Sequence, residues 1–282
     1  MNRIGLLATL AASLAGPGLA ETPQLARGRY LVENVMQCGT CHDTPSPAGR
    51  ADPATRQAGG RVFGNAGPRA VTPNITPDPQ TGIGGWTEAQ FADAMRNGRR
   101  PDGTRIGPPM PVEAYRGISD SDMAAIWTYL RSLPPVRHAV TERSTFPGPV
   151  THFDPVAAVP EPPADDPVQR GEYLAVALLH CMDCHSPRVA LDRADPGRIG
   201  AGGRVFQSSA GPLPARNITP HPEAGIGRWT DAEIWRAIDE GIGRDGRRLY
   251  ITMSTRAAGW SRMTARDRAD LMAYLRALPP LE

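Results

Sequence analysis

The sequence predicts an all-α protein built from two tandem copies of one helical unit joined by a Pro-rich linker, and three observations lead there. Short segments recur at a fixed offset, helix start and stop signals recur with them, and the apolar/polar alternation of half-buried strands is almost absent. Cys38-Gly39-Thr40-Cys41-His42 returns as Cys181-Met182-Asp183-Cys184-His185, 143 positions later. The same offset carries Arg27-Gly28 and Tyr30-Leu31 onto Arg170-Gly171 and Tyr173-Leu174, and Asn74-Ile75-Thr76-Pro77 onto Asn217-Ile218-Thr219-Pro220. Between Asn74 and Gly103, 15 of 30 positions match their partners, which is duplication rather than a chance motif.

Taken in order, the first element is an address. Asn2 and Arg3 precede an apolar run from Ile4 to Ala15, and Gly16, Pro17 and Gly18 break it before Leu19-Ala20. A positive start, a short apolar stretch and small residues at a cleavage point describe a secretory signal peptide over 1–20. The run is too short for a membrane anchor, which needs about 20 apolar residues. No later stretch is apolar enough to span a bilayer, so an exported, periplasmic protein without a transmembrane segment is expected.

The first unit is expected over 21–133. A helix over 24–37 leads into the first Cys motif. Thr87 with Gln90 forms a capping box that opens a short helix closed by Gly98. The last helix runs from about Ser119 to Leu133, with Met123, Ile126, Trp127 and Leu130 on one face, and Pro134 stops it. Residues 134–168 hold 9 Pro in 35, so this linker is extended, either a tether or a strap across both units. The second unit, over 169–282, repeats the pattern: a helix from about Pro167 to His180, a Thr230/Glu233 capping box with Gly241 after it, and a last helix over 264–278.

Composition narrows the function. With 31 Arg and no Lys against 29 acidic residues, the net charge is +2, and no basic field suggests nucleic acid. Four Cys in 282 residues are too few for a disulfide scaffold. A zinc site would bring its Cys pairs within roughly 15–20 residues of each other, and thioredoxin-like chemistry would need a βαβ pattern; neither is present. Covalent haem attachment explains more. Thiols at i and i+3 lie on one side of a helical turn and can bond the two vinyl groups, and the following His faces the iron. Cys38, Cys41, Cys181 and Cys184 are thus the expected attachment points of two haem c groups, with His42 and His185 as proximal iron ligands. A large apolar ring also gives the long Gly- and Pro-rich loops something to pack against.

A Met thioether is the usual sixth ligand where haem carries electrons. The offset of 143 relates Met110 to Met253, which makes them the expected distal pair, with Met263 as a rival in the second unit. Met123 and Met272 lie on apolar helix faces and read as core. His138, His152, His180 and His221 read as solvated or hydrogen-bonding residues. Trp86, Trp229, Arg61 and Arg204 recur between the units, either as packing or as hydrogen-bond donors to haem propionates.

The run from Cys38 to His42, then Asn74-Ile75-Thr76-Pro77, Gly82-Ile83-Gly84, Trp86, Met110-Pro111 and Tyr129-Leu130-Arg131-Ser132-Leu133-Pro134-Pro135 resembles class I cytochrome c domains. More narrowly it is similar to the multihaem cytochrome c subunits of periplasmic dehydrogenases acting on alcohols, sugars and aldehydes. The resemblance implies a helical fold round each haem, His/Met ligation and single-electron transfer toward the respiratory chain. A periplasmic dehydrogenase would be the donor, and a terminal oxidase or another cytochrome the acceptor. No catalytic residues of its own are expected. The competing reading is a dihaem enzyme, peroxidase-like or thiosulfate-oxidising, which needs one iron without a Met ligand.

Overall fold

A computed structural model describes residues 21–45, 53–64, 67–208 and 211–282; the leader expected over 1–20 lies outside the described residues. Helix α1, Pro23–Tyr30, starts where Thr22 accepts a hydrogen bond from Leu25 N at 3.2 Å and Pro23 takes a position whose N–H would have no partner. It runs directly into a π-helical turn, Leu31–Val35, closed by Met36 N donating to Leu31 O at 2.8 Å. Gln37, at φ 52°, then turns the chain into α2, Gly39–His42. The second half repeats each step. Asp166 caps α6, Pro167–Tyr173; a π-helical turn covers Leu174–Leu178; His180, at φ 46°, leads into α7, Cys181–His185.

The middle helices are α3, Glu88–Asn97, and α8, Asp231–Asp239, each opened by the expected capping box. The last helices are α5, Asp120–Ser132, and α10, Ala265–Ala277, with Ser119 and Thr264 as N-caps. Between middle and last helix the halves differ. The first has the four-residue α4, Val112–Tyr115, and the second the ten-residue α9, Ile251–Trp260.

The expectation of a purely α protein needs correction, because three short antiparallel pairs are present among the described residues. They are β1, Val62–Phe63, with β2, Ala70–Val71; β3, Arg188–Ala190, with β4, Arg193–Ala194; and β5, Val205–Ser208, with β6, Gly211–Pro214. Strands of two to four residues are too short for a period-2 pattern to stand out from the loops.

The repeated Arg-Gly-x-Tyr segment has one structural job per residue. Gly28 lets α1 cross α5 so closely that a Cβ there would lie 2.0 Å from Ala125 O; at Gly171 the corresponding distance to Asp270 O is 1.9 Å. Arg27 forks onto Asp122, with both bonds at 2.8 Å, and Arg170 Nε donates to Asp270 Oδ2 at 2.7 Å. The tyrosines reach into the opposite half. Tyr30 donates to Asp267 and accepts from Thr264 N, while Tyr173 donates to Asp122 and accepts from Ser119 N. Each tyrosine thereby completes the N-terminus of the other half's last helix.

One apolar core runs through both halves, from Leu31, Val35 and Ile118 to Leu178, Trp260 and Leu271. Trp260 Nε1 donates across it to Val35 O at 3.0 Å. The Pro-rich segment after α5 behaves as a strap. Val136 O and His138 O accept from Asn74 Nδ2, Thr145 pairs with Arg69 through backbone and side chain, and Val159 pairs with Asp120. Its Thr151 N reaches Asp192 of the second half at 2.9 Å. Among the described residues no helix is long and apolar enough to cross a membrane.

Candidate functional site

The left-handed turn at Gln37 presents Cys38 as the N-cap of α2, so Cys38 and Cys41 lie one turn apart on the same helix. Both thiols are unbridged. Burial pushes the Cys38 thiol up to about 12 and raises Cys41 as well, so both stay neutral. His42, next in the chain, is buried, and its Nδ1 lies 2.9 Å from Pro73 O. Since a carbonyl only accepts, Nδ1 carries the hydrogen and Nε2 keeps its lone pair. Burial also lowers the pKa of His42, which keeps the ring neutral as a metal ligand must be.

These three side chains line one cavity of about 240 Å³. Met110 lines it from the loop before α4, and Ile75, Ile83, Trp86, Phe91, Ile126 and Leu130 supply apolar walls. The recurring Asn-Ile-Thr segment fixes one side. Asn74 Oδ1 accepts from Thr76 N and Oγ1 at 2.9 and 2.8 Å while its amide holds Val136 O, which ties the cavity loop to the chain leaving α5. Asn217 makes the same arrangement with Thr219 and Leu281 O.

The second motif repeats the local geometry. Cys181 and Cys184 are unbridged on α7, Cys181 is pushed up to about 12 by burial, and His185 Nδ1 lies 2.7 Å from Arg216 O. Its distinguishing feature is Asp183, between the two Cys. Arg204 Nη1 donates to Asp183 Oδ2 at 2.7 Å and Arg188 contacts Oδ1. Burial works to raise this carboxyl, but the two arginines outweigh it and hold it below its usual range. Met253 sits in the first turns of α9, half-buried against the core, whereas Met263 is 6 % exposed within the core itself. Met123 and Met272 are buried in the core as expected.

The structure adds two residues that the sequence reading passed over. His180 and Arg256, both from the second half, line the cavity of the first. His180 stands edge-on to Tyr115 at 6.1 Å between ring centroids, half-buried, and burial lowers its pKa to about 4. A comparison of repeats could not select either, because neither has a like residue at the matching position. His138 and His221 do hydrogen-bond in loops, to Ala58 O and from Glu223 N and Ala224 N. Arg204, expected as packing or a propionate donor, is taken up by Asp183, but Arg61 Nε and Arg188 Nε and Nη1 are buried with no partner.

Among the described residues no three His, Cys, Asp or Glu side chains gather into a metal-binding cluster, so the Cys pairs do not pool into one zinc site. What the first cavity offers is two neutral thiols, an imidazole with a free Nε2, a thioether and a large apolar wall. That donor set fits a covalently bound haem, and a helical fold closed round it defines a haem protein of the c type.

The cytochrome c family model matches residues 25–134. The chain is 30% identical over 254 residues to the diheme cytochrome c-type protein of Cereibacter sphaeroides, covering 87% of this chain and 83% of that one. It is 28% identical over 275 residues to the fructose dehydrogenase cytochrome subunit of Gluconobacter japonicus, and 29% over 306 residues to the cytochrome c subunit of the quinone alcohol dehydrogenase of Gluconacetobacter polyoxogenes. The alignments cover 93% and 100% of this chain but only 54% and 63% of those two subunits. The chain belongs to the cytochrome c family, and haem c is its cofactor.

Proposed function

We propose that the chain is a dihaem electron-transfer protein, with one haem c in each of two tandem domains, 21–133 and 169–282. Cys38 and Cys41 would attach the first haem and Cys181 and Cys184 the second, and His42 with Met110 and His185 with Met253 would ligate the two irons. The observation that carries this reading is the convergence of Cys38, Cys41, His42 and Met110 on one apolar cavity. The repeated Nδ1-to-carbonyl bonds of His42 and His185 support extending it to the second motif. Met253 is preferred to Met263 because it follows Met110 at the repeat offset, and Met263 is already used in packing.

When bound, each haem supplies a one-electron couple at its iron. The protein's own residues orient and insulate it. The carbonyls of Pro73 and Arg216 fix which imidazole nitrogen faces inward, and Ser144 and Phe146 of the strap help to line the first cavity. In this reading the protein is exported by its leader and serves in the periplasm. It acts there as a soluble carrier or as the cytochrome subunit of a dehydrogenase, passing single electrons toward the respiratory chain. The names of the dehydrogenase relatives support this over a dihaem peroxidase or thiosulfate oxidase. The test is a pyridine haemochrome assay with ferric-state absorption and electron paramagnetic resonance on the purified protein. Two low-spin haems per chain with the long-wavelength thioether-to-iron band are expected; one haem per chain, or a high-spin centre, would overturn the reading.

A further inference from the structure

The contact between the halves is reciprocal in shape but not in charge. Helix α4 of the first half packs on the π-helical turn Leu174–Leu178, and α9 of the second half packs on Leu31–Val35. From α9, Arg256 reaches across: its Nη1 donates to Met36 O at 3.1 Å and its own carbonyl accepts from Gln37 Nε2 at 2.8 Å. Gly259, one turn on, permits this approach, because a Cβ there would lie 2.4 Å from Gln37 Cδ. The guanidinium is thereby held at the wall of the first cavity. Helix α4 sends the opposite charge the other way. Glu113 Oε2 accepts from Ala194 N at 2.8 Å, beside the second motif, and Oε1 lies 3.9 Å from Arg193 Nε.

The surroundings keep the contrast. Among the described residues the first cavity is lined by Arg100 as well as Arg256 and by no carboxylate. Position 243, which matches Arg100 at the repeat offset, is a glycine. At the second motif Arg188 and Arg204 are both engaged by Asp183, and Glu113 adds a second carboxylate. Two arginines line the first cavity, whereas at the second motif Arg188 and Arg204 are set against the carboxylates of Asp183 and Glu113, with Arg193 half-exposed at the rim.

Resting on the reading of two haems, we propose that Arg256 and Glu113 are cross-half tuning residues that make the first centre the higher-potential one, so that electrons pass from the second haem to the first. A reduced centre carries one more negative charge, so a cation at the cavity wall favours reduction and a carboxylate opposes it, most strongly where water is excluded.

The test is a spectroelectrochemical titration of the full-length holoprotein, with haem content measured alongside. Two one-electron steps are expected. Arg256→Gln should lower the upper step more than the lower, by a three- to tenfold fall in its reduced-to-oxidised ratio at fixed potential, about 30–60 mV at 59 mV per tenfold. Arg256→Lys, which keeps the charge but not the fork, should restore most of it. Glu113→Gln should raise only the lower step. If Arg256→Gln moves both steps equally or neither, if Lys fails where Gln fails, or if Glu113→Gln moves the upper step, the proposal is overturned. Fewer than two haems per chain would overturn the dihaem reading itself, and the inference with it.

Discussion

Tyr30 donates its hydroxyl hydrogen to Asp267 Oδ2 at 2.6 Å, across 237 positions of sequence and from one half of the molecule to the other. Tyr173 returns the bond to Asp122 at 2.8 Å. The two aspartates occupy the first turns of α5 and α10, and the same hydroxyls accept from the N-cap amides of Ser119 and Thr264. A residue that looks in sequence like part of each unit's own core is therefore the clasp between the units.

Replacing either tyrosine by Phe leaves a buried carboxylate and an N-cap amide short of a partner. Tyr30→Phe and Tyr173→Phe should each cost about 1–3 kcal/mol of stability, read by denaturant unfolding of the holoprotein. An unchanged midpoint for both would mean that the clasp contributes nothing.

The clasp also titrates. Burial first, and the bond to Asp267 second, raise the Tyr30 hydroxyl from 10.0 to about 12. A tyrosine whose folded pKa lies above its unfolded value binds its proton more tightly in the native state, so its contribution is complete below pH 10 and is lost as pH rises toward 12. The difference in stability between wild type and Tyr30→Phe should shrink over that window, and a constant difference from pH 9 to 12 would contradict the assignment.

Gly28 and Gly171 meet backbone carbonyls, which cannot swing aside as a side chain would. Gly28→Ala or Gly171→Ala should force the crossing helices apart, at a cost of about 3 kcal/mol or more. Thermal unfolding measures this. A shift of less than about 2 °C, in a domain where 1 kcal/mol moves the midpoint by roughly 2–4 °C, would show that the crossing tolerates a methyl group.

On the dihaem reading, Met110→Ala should lower the potential of one haem and leave the other nearly unchanged, since a thioether ligand raises the potential and Met110 is proposed for the first iron alone. Redox titration of the variant reads both steps. Equal shifts in the two would defeat the assignment of one site per half.

On the dihaem reading, Cys41→Ala should cut haem content from two to one per chain and melt the first half, because a bound ring would complete the wall that Ile83, Phe91 and Leu130 begin. Cys184→Ala should do the same to the second. Circular dichroism alongside haem analysis tests this, and full helicity with one haem missing would refute the role of the ring as core.

Much of this was legible in sequence because it repeats. The offset of 143 selected the Cys motifs and the Met110/Met253 pair, and the Thr87/Gln90 and Thr230/Glu233 boxes marked helix starts that the structure places at Glu88 and Asp231. The π-helical turns before Gln37 and His180 were not legible, since a one-residue shift in hydrogen-bond register leaves the apolar pattern of Leu31, Val32 and Val35 intact. Nor was the role of His180 and Arg256, for a deeper reason. Matching the repeats keeps what each unit needs for itself and discards what differs, and a contact between unlike partners is made of differences. Tether and strap could not be separated either, because prolines set the stiffness of residues 134–168, but Asn74, Arg69 and Asp120 decide where the segment lies.

The wall of the first cavity also has an order of manufacture. A ribosome delivers Cys38, Cys41 and His42 early, Ser144 and Phe146 about a hundred residues later, and Arg256 last, 220 positions after the Met36 carbonyl it bonds. The wall of the first site is thus finished by the second half of the chain, and a first half expressed alone would lack it.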